Sequence, residues 1–191
     1  MNNLAIYYFH QGTTIKAYEL LGAHYTKKST RFCVWAPNAA SVSVVGEFNN
    51  WDPSAHQMIR INNEGLFEIT INGVKEFACY QYAIKTKRGK LIYKSDPYAF
   101  HSELRPAKAS KVYNLKGYKF KDSKWMKNRI KTQGYNKPLN VYELHLGSWR
   151  RYSDGNTFNY ADIAVELAAY AKEMGYTHVE VMPVSEYPYD P

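Results

Sequence analysis

RFCVWAP (31–37) and SVSVVGEF (41–48) alternate apolar and polar side chains and stop at Pro37 and near Asn49. A period of two places successive side chains on opposite faces of a strand, so each stretch reads as a half-buried β-strand. Val34, Val42 and Val44 then share inward faces. Downstream, LFEITI (66–71) puts Phe67, Ile69 and Ile71 on one side and closes at Asn72-Gly73, a strong turn dipeptide. ACYQYAIKT (78–86), a KRGK turn (87–90) and KLIYKS (90–95) follow. Short strands at roughly ten-residue spacing, separated by turn signals, indicate an antiparallel β-sandwich. Its span, residues 21–115, is long enough to bury its own core. Residues 1–20 read as a leader with one short helix.

The pattern changes in the last part of the chain. VYELHLGSW (141–149) reads as a strand, Tyr160 to Met174 as a helix and THVEVMPV (177–184) as a second strand. Asn159 is the expected N-cap, with Asp162 three residues on. Ile163, Leu167, Tyr170 and Met174 draw one apolar stripe at the helical period, Lys172 sits in the last turn, and Gly175 is the stop. This is a β-α-β unit, belonging to an open sheet or to a barrel. A parallel sheet does not close on two strands. A site built by the whole sheet is therefore expected to lie outside these 191 residues.

The formal net charge of +8 is unevenly spread. Residues 111–137 carry nine basic groups and one acidic group, whereas residues 138–191 are net acidic. The basic stretch has no nucleic-acid motif around it and reads as a solvated linker, with Trp125-Met126 as an apolar anchor packed on a neighbour. No nucleic-acid partner is expected. No window reaches about 18 apolar residues, so no membrane span is expected. The first residues lack the basic and small-residue features of a secretion signal, and Cys33 and Cys79 read as buried, reduced thiols inside strands. Both fit a cytoplasmic location.

No phosphate loop, GxGxxG, HExxH or GxSxG occurs, and no Cys or His stands at metal-ligand spacing, so no cofactor and no metal are expected. His145 lies near the C-terminal end of a parallel strand, where such sheets place ligands, with Glu143 on the same face. Glu180 and Glu186 lie on or after the second strand, but spacing alone does not pair any of these carboxylates for glycoside chemistry. Trp51 is the sharper candidate. It follows Asn49 and Asn50 in GEFNNWDP, and a loop Trp flanked by amides suits a sugar, with the ring stacking and the amides bonding hydroxyls. The competing reading folds the ring back on the sandwich edge.

YELLGAH (18–24), RFCVWAPNAASVSVVGEFNNWD (31–52), KSDPYAFHSELRPAKASKVYNL (94–115), VYELHLGSWRR (141–151) and GYTHVEVMPVSEYPYD (175–190) appear in order. With these segments the chain resembles the N-terminal part of bacterial 1,4-α-glucan branching enzymes, of the α-amylase superfamily. Debranching and trehalose-releasing relatives share some of these marks. The resemblance implies an immunoglobulin-like β-sandwich (a family 48 carbohydrate-binding module, 21–115), the linker (116–137), and the first β-α-β unit of a truncated (β/α)8 barrel (138–191).

It further implies a parent glycosyltransferase of retaining mechanism, in which a carboxylate nucleophile and an acid/base glutamate move an α-1,4 segment to a sugar 6-hydroxyl. Glycogen and amylose-like α-glucans are the implied partners. The catalytic carboxylates of that family lie on later barrel strands, so none is carried onto this chain, and the 191 residues alone are expected to be inactive. In related glycogen-binding modules the Trp of an FNxW motif stacks on glucose, which implicates Trp51, with Asn49 and Asn50 beside it. A Tyr-Lys pair of those modules becomes Tyr80-Gln81 here, leaving Gln81 as a neutral donor. An α-glucan-binding module without enzymatic activity, or a portion of a debranching or trehalose-releasing glycoside hydrolase, are the alternative readings.

Overall fold

The computed structural model describes residues 3–132 and 136–185. It divides into two compact units, Met1–Lys119 and Phe120–Pro191.

The first unit is a sandwich of two antiparallel sheets. One sheet contains β1 (Gly22–Tyr25), β2 (Ser29–Trp35), β4 (Ile59–Arg60) and β5 (Leu66–Asn72), in the order β1-β2-β5-β4. The other contains β3 (Ala39–Gly46), β6 (Cys79–Thr86), β7 (Leu91–Lys94), β8 (His101–Ser102) and β9 (Ser110–Lys111). Its order is β3-β6-β9-β8, with β7 also paired to β6. The expected alternation selects the core: Phe32, Val34, Val42, Val44, Phe67, Ile71, Tyr80 and Tyr82 form one buried cluster, with Ile69 packed against it. Full burial of each large apolar side chain contributes roughly 1.5–3 kcal/mol.

Asn72-Gly73 is indeed a turn, with Gly73 at φ +73°, but it ends one sheet and leads to the other rather than joining paired strands. Asp96 is buried where the chain leaves β7. It accepts hydrogen bonds from the hydroxyls of Tyr80 at 2.7 Å and Tyr82 at 3.1 Å and from the Tyr98 amide at 2.8 Å. Cys33 and Cys79 are buried free thiols.

Instead of one leader helix there are two, α1 (Asn3–His10) and α2 (Ala17–Leu20), with a turn at Gly12. Leu20 and Leu21 join Cys33 and Leu66 in a smaller core, against which Ile6 and Phe9 pack. Phe9 meets the Trp35 ring edge-on at 5.8 Å, and His10 reaches Glu64 at 3.2 Å.

The second unit begins with α3 (Ser123–Thr132), a helix inside the stretch expected to be linker. Its Lys-rich sequence favours helix, and the Arg129 guanidinium lies 5.8 Å from the Trp125 ring one turn away. Trp125 and Met126 are exposed instead of forming the expected buried anchor.

Beyond it, β10 (Val141–Leu144) and β11 (His178–Val181) pair in parallel, with α4 (Leu146–Trp149) and α5 (Tyr160–Glu173) between them in sequence. Both strands are shorter than expected. The first gives way at His145, whose carbonyl accepts from the Ser148 and Trp149 amides, so Trp149 lies in a helical turn. The expected cap is present, with the Asp162 amide donating to Asn159 Oδ1 at 2.9 Å. Gly175 follows α5 at φ +73°. Ile163 is buried, Leu167 and Tyr170 are half-buried, and Met174 is exposed. Only two parallel strands occur among the described residues, so no barrel is formed by them.

Candidate functional site

Trp51 is presented by a turn whose geometry is dictated by Asn49. After Gly46 a single 3-10 turn runs over Glu47–Asn49. Asn49 Oδ1 accepts from the Gly46 amide, while Nδ2 donates to the Val44 carbonyl and meets His56 Nδ1, each at 2.9 Å. The next two residues are left-handed, Asn50 at φ 53° and Trp51 at φ 60°. Asparagine visits this region readily, whereas an indole there is unusual and needs the surrounding bonds to hold it. The Trp51 amide donates back to the Gly46 carbonyl at 3.0 Å.

Gly46 is required by proximity. A Cβ on it would come within 2.3 Å of the Cys79 carbonyl oxygen on the neighbouring strand. Phe48, partly buried, packs against the core beside Phe32, with ring centroids 6.0 Å apart.

The indole is 39% exposed, so it is not folded wholly onto the sandwich. Asp52 accepts from the Ser54 amide at 2.8 Å and from its hydroxyl, and these bonds hold its carboxyl below the usual range. The aromatic face is therefore followed at once by a fixed anion.

The four candidate residues do not play equal parts. Asn49 makes three hydrogen bonds within the turn that presents Trp51. Asn50 supplies the left-handed backbone. Gln81 is opposite Val45 in the β3–β6 register, one pair from Gly46, and so lies toward the same end of the sheet as the turn. Its Nε2 donates to the Lys108 carbonyl at 3.3 Å.

Tyr93 was not singled out by the sequence pattern. It pairs with Ala83 and thereby shares the outer face with Gln81, and it is 48% exposed. A lone Tyr in a strand reads first as sheet packing, and only the register reveals its direction.

The other candidates are in the second unit. His145 is exposed, and its Nδ1 lies 3.0 Å from Ser148 Oγ in its own helical turn. Glu143 and Glu180 stand opposite each other in the β10–β11 register, both exposed. Glu186 lies outside the described residues. Among the described residues no group of three or more His, Cys, Asp or Glu side chains is placed to hold a metal ion. Among them, too, no helix is long and apolar enough to cross a membrane.

Residues 20–99 match carbohydrate-binding module 48, the isoamylase N-terminal domain. The chain is 46% identical to the 1,4-alpha-glucan branching enzyme GlgB of Geobacillus stearothermophilus over 192 residues, which cover 98% of this chain and 30% of that enzyme. It is 48% identical to the Fusobacterium nucleatum enzyme of the same name over 185 residues, 96% of this chain and 30% of that one.

Among solved structures, Klebsiella pneumoniae pullulanase complexed with maltotriose matches with TM-score 0.61 at 22% identity, over 87% of this chain and 18% of that one. Pullulanase type I of Bacillus subtilis complexed with maltose matches with TM-score 0.56 at 24% identity, over 87% and 24%. These two establish likeness of fold alone. The chain spans about 30% of the length of the curated relatives it matches. Over nearly all of its own length it is similar to 1,4-α-glucan branching enzymes, and over residues 20–99 to carbohydrate-binding module 48.

Proposed function

We propose that this chain is the N-terminal portion of a glycogen branching enzyme and that its sandwich holds α-glucan through Trp51. Identity of 46–48% to branching enzymes along nearly the whole chain carries the first part. The second rests on the Trp51 turn: a half-exposed indole on a backbone fixed by Asn49, within the span matching a carbohydrate-binding module. In this reading residues 21–115 are an immunoglobulin-like module, 116–137 a basic connection that includes α3, and 138–191 the first β-α-β unit of a (β/α)8 barrel. The parent transfers an α-1,4 segment to a 6-hydroxyl by retaining chemistry, with carboxylates on later strands. The pair Glu143 and Glu180 is exposed on adjacent strands, and neither is assigned a catalytic role in this reading.

The 191 residues are therefore expected to bind glucan without branching it. Titration with maltoheptaose tests the first expectation: Trp51→Ala should lose most of the affinity, and equal affinity in the variant overturns the Trp51 reading. Incubation with amylose tests the second. New α-1,6 linkages formed by the pure chain would overturn it.

A further inference from the structure

Phe77 stands in the crossing between the sheets at φ +66°. A bulky side chain in the left-handed region is a true outlier. The amide is held by the Val112 carbonyl at 2.7 Å, yet the ring is 52% exposed and belongs to neither buried core cluster. Core packing therefore does not account for an aromatic residue at this strained position, and strain of this kind collects at ligand contacts.

The ring is not isolated. It meets His101 edge-on at 5.7 Å and Tyr113 at 5.6 Å, and those two rings lie 5.5 Å apart. Phe77 lines a cleft of about 660 Å³ with Phe48, His56, Asn72 and Glu76, reaching the segment that shapes the Trp51 turn. Tyr113 lines another of about 460 Å³ with Tyr18, His24, Tyr25, Phe100 and Asn114.

Neither cleft carries one sign of charge. Glu47 and Glu76 accompany Lys75 in the first, and Glu19 accompanies Lys116 in the second. Burial above all, with Arg31 adding to it, holds the His24 imidazole below its ordinary value, and its Nε2 lies 3.0 Å from the Leu21 carbonyl. Aromatic faces beside amides, a neutral imidazole and mixed charges suit a neutral ligand with an apolar face and a rim of hydroxyls. They do not suit a polyanion.

We infer that Phe77, His101 and Tyr113 form a second α-glucan contact surface on the sandwich, built of different residues from the Trp51 turn. This rests on the reading of the module as glucan-binding. The two surfaces give it two points of hold, so a chain longer than one site is retained better than either site alone allows.

The test is calorimetric titration of the 191-residue protein with maltoheptaose, using wild type, Trp51→Ala, Phe77→Asn, His101→Ala and the Trp51→Ala/Phe77→Asn pair. Asparagine tolerates the left-handed backbone, and thermal melting monitors the fold. His101→Ala, on an exposed strand, supplies a variant that leaves the crossing untouched. Phe77→Asn and His101→Ala should each weaken binding about tenfold, the double variant should lose what Trp51→Ala retains, and Phe77→Tyr, which keeps the ring, should bind as wild type does.

Wild-type affinity in both Phe77→Asn and His101→Ala overturns this surface and leaves the Trp51 reading standing. Loss in these two with none in Trp51→Ala upholds this surface and overturns the other. A wild type that does not bind maltoheptaose overturns both.

Discussion

The Tyr80 hydroxyl donates to Asp96 at 2.7 Å inside the closed interior of the sandwich. A buried carboxylate is tolerated only where its oxygens are bonded, and here Tyr82 and the Tyr98 amide complete the set. Tyr80→Phe removes one donor and leaves the carboxylate short of a partner. The expected loss is about 1–3 kcal/mol of unfolding free energy, read from urea denaturation. An unchanged midpoint would mean that water reaches Asp96.

Burial pushes the Asp96 carboxyl above its ordinary value, against the opposing effect of its hydrogen bonds. The folded state therefore binds this proton more tightly than the unfolded state. The stability contribution of Asp96 is fully present below the unfolded value near 3.8 and is lost as pH rises through the folded value. Wild type should gain stability relative to Asp96→Asn as pH falls from neutrality toward that window. Thermal melts of both proteins across the range would show it, and parallel curves would contradict it.

Asn49→Ala deletes the bonds to Gly46, Val44 and His56. It should cost about 1–2 kcal/mol of stability and bring maltoheptaose affinity down toward that of Trp51→Ala, although no ring is removed. Retained affinity would show that the turn holds its shape without the carboxamide.

Burial pushes the Cys33 thiol up to about 12. Burial, with Glu103 beside it, pushes Cys79 up to about 11. The thiolate is the reactive form, so iodoacetamide at pH 8 should label neither cysteine in the folded protein and both in denaturant. Mass spectrometry would check this, and rapid labelling of Cys33 without denaturant would place it at the surface.

In the second unit Leu144 and Ile163 are buried, while Val141, Val165, Val179 and Val181 remain exposed. Amides of β10 and β11 should exchange with solvent at least about tenfold faster than those of β2 and β5. Equal protection in a monomer would show that the parallel pair is covered.

The sandwich strands and α5 were legible because alternation and the 3.6 period report which side is buried. The helix cap and the Gly175 stop were legible as local chemistry. What escaped depends on contacts distant in sequence. Asn72-Gly73 looks the same whether it joins paired strands or sends the chain across to another sheet. The strand at 141 ends early because the His145 carbonyl captures two amides, which no apolar pattern records. Asn49 and Asn50 resemble each other in sequence, yet one braces the turn and the other bends it. Phe77 draws no notice until its backbone angle is known.

The bonds that shape the Asn49–Trp51 turn close on Val44, Gly46 and His56, all nearby in the chain. The turn thus carries its own scaffolding. Other aromatic residues can be tried at Trp51 without redesigning the sheets, and the loop lends itself to grafting onto another β-sandwich whose strand approaches its neighbour as closely as Gly46 does here.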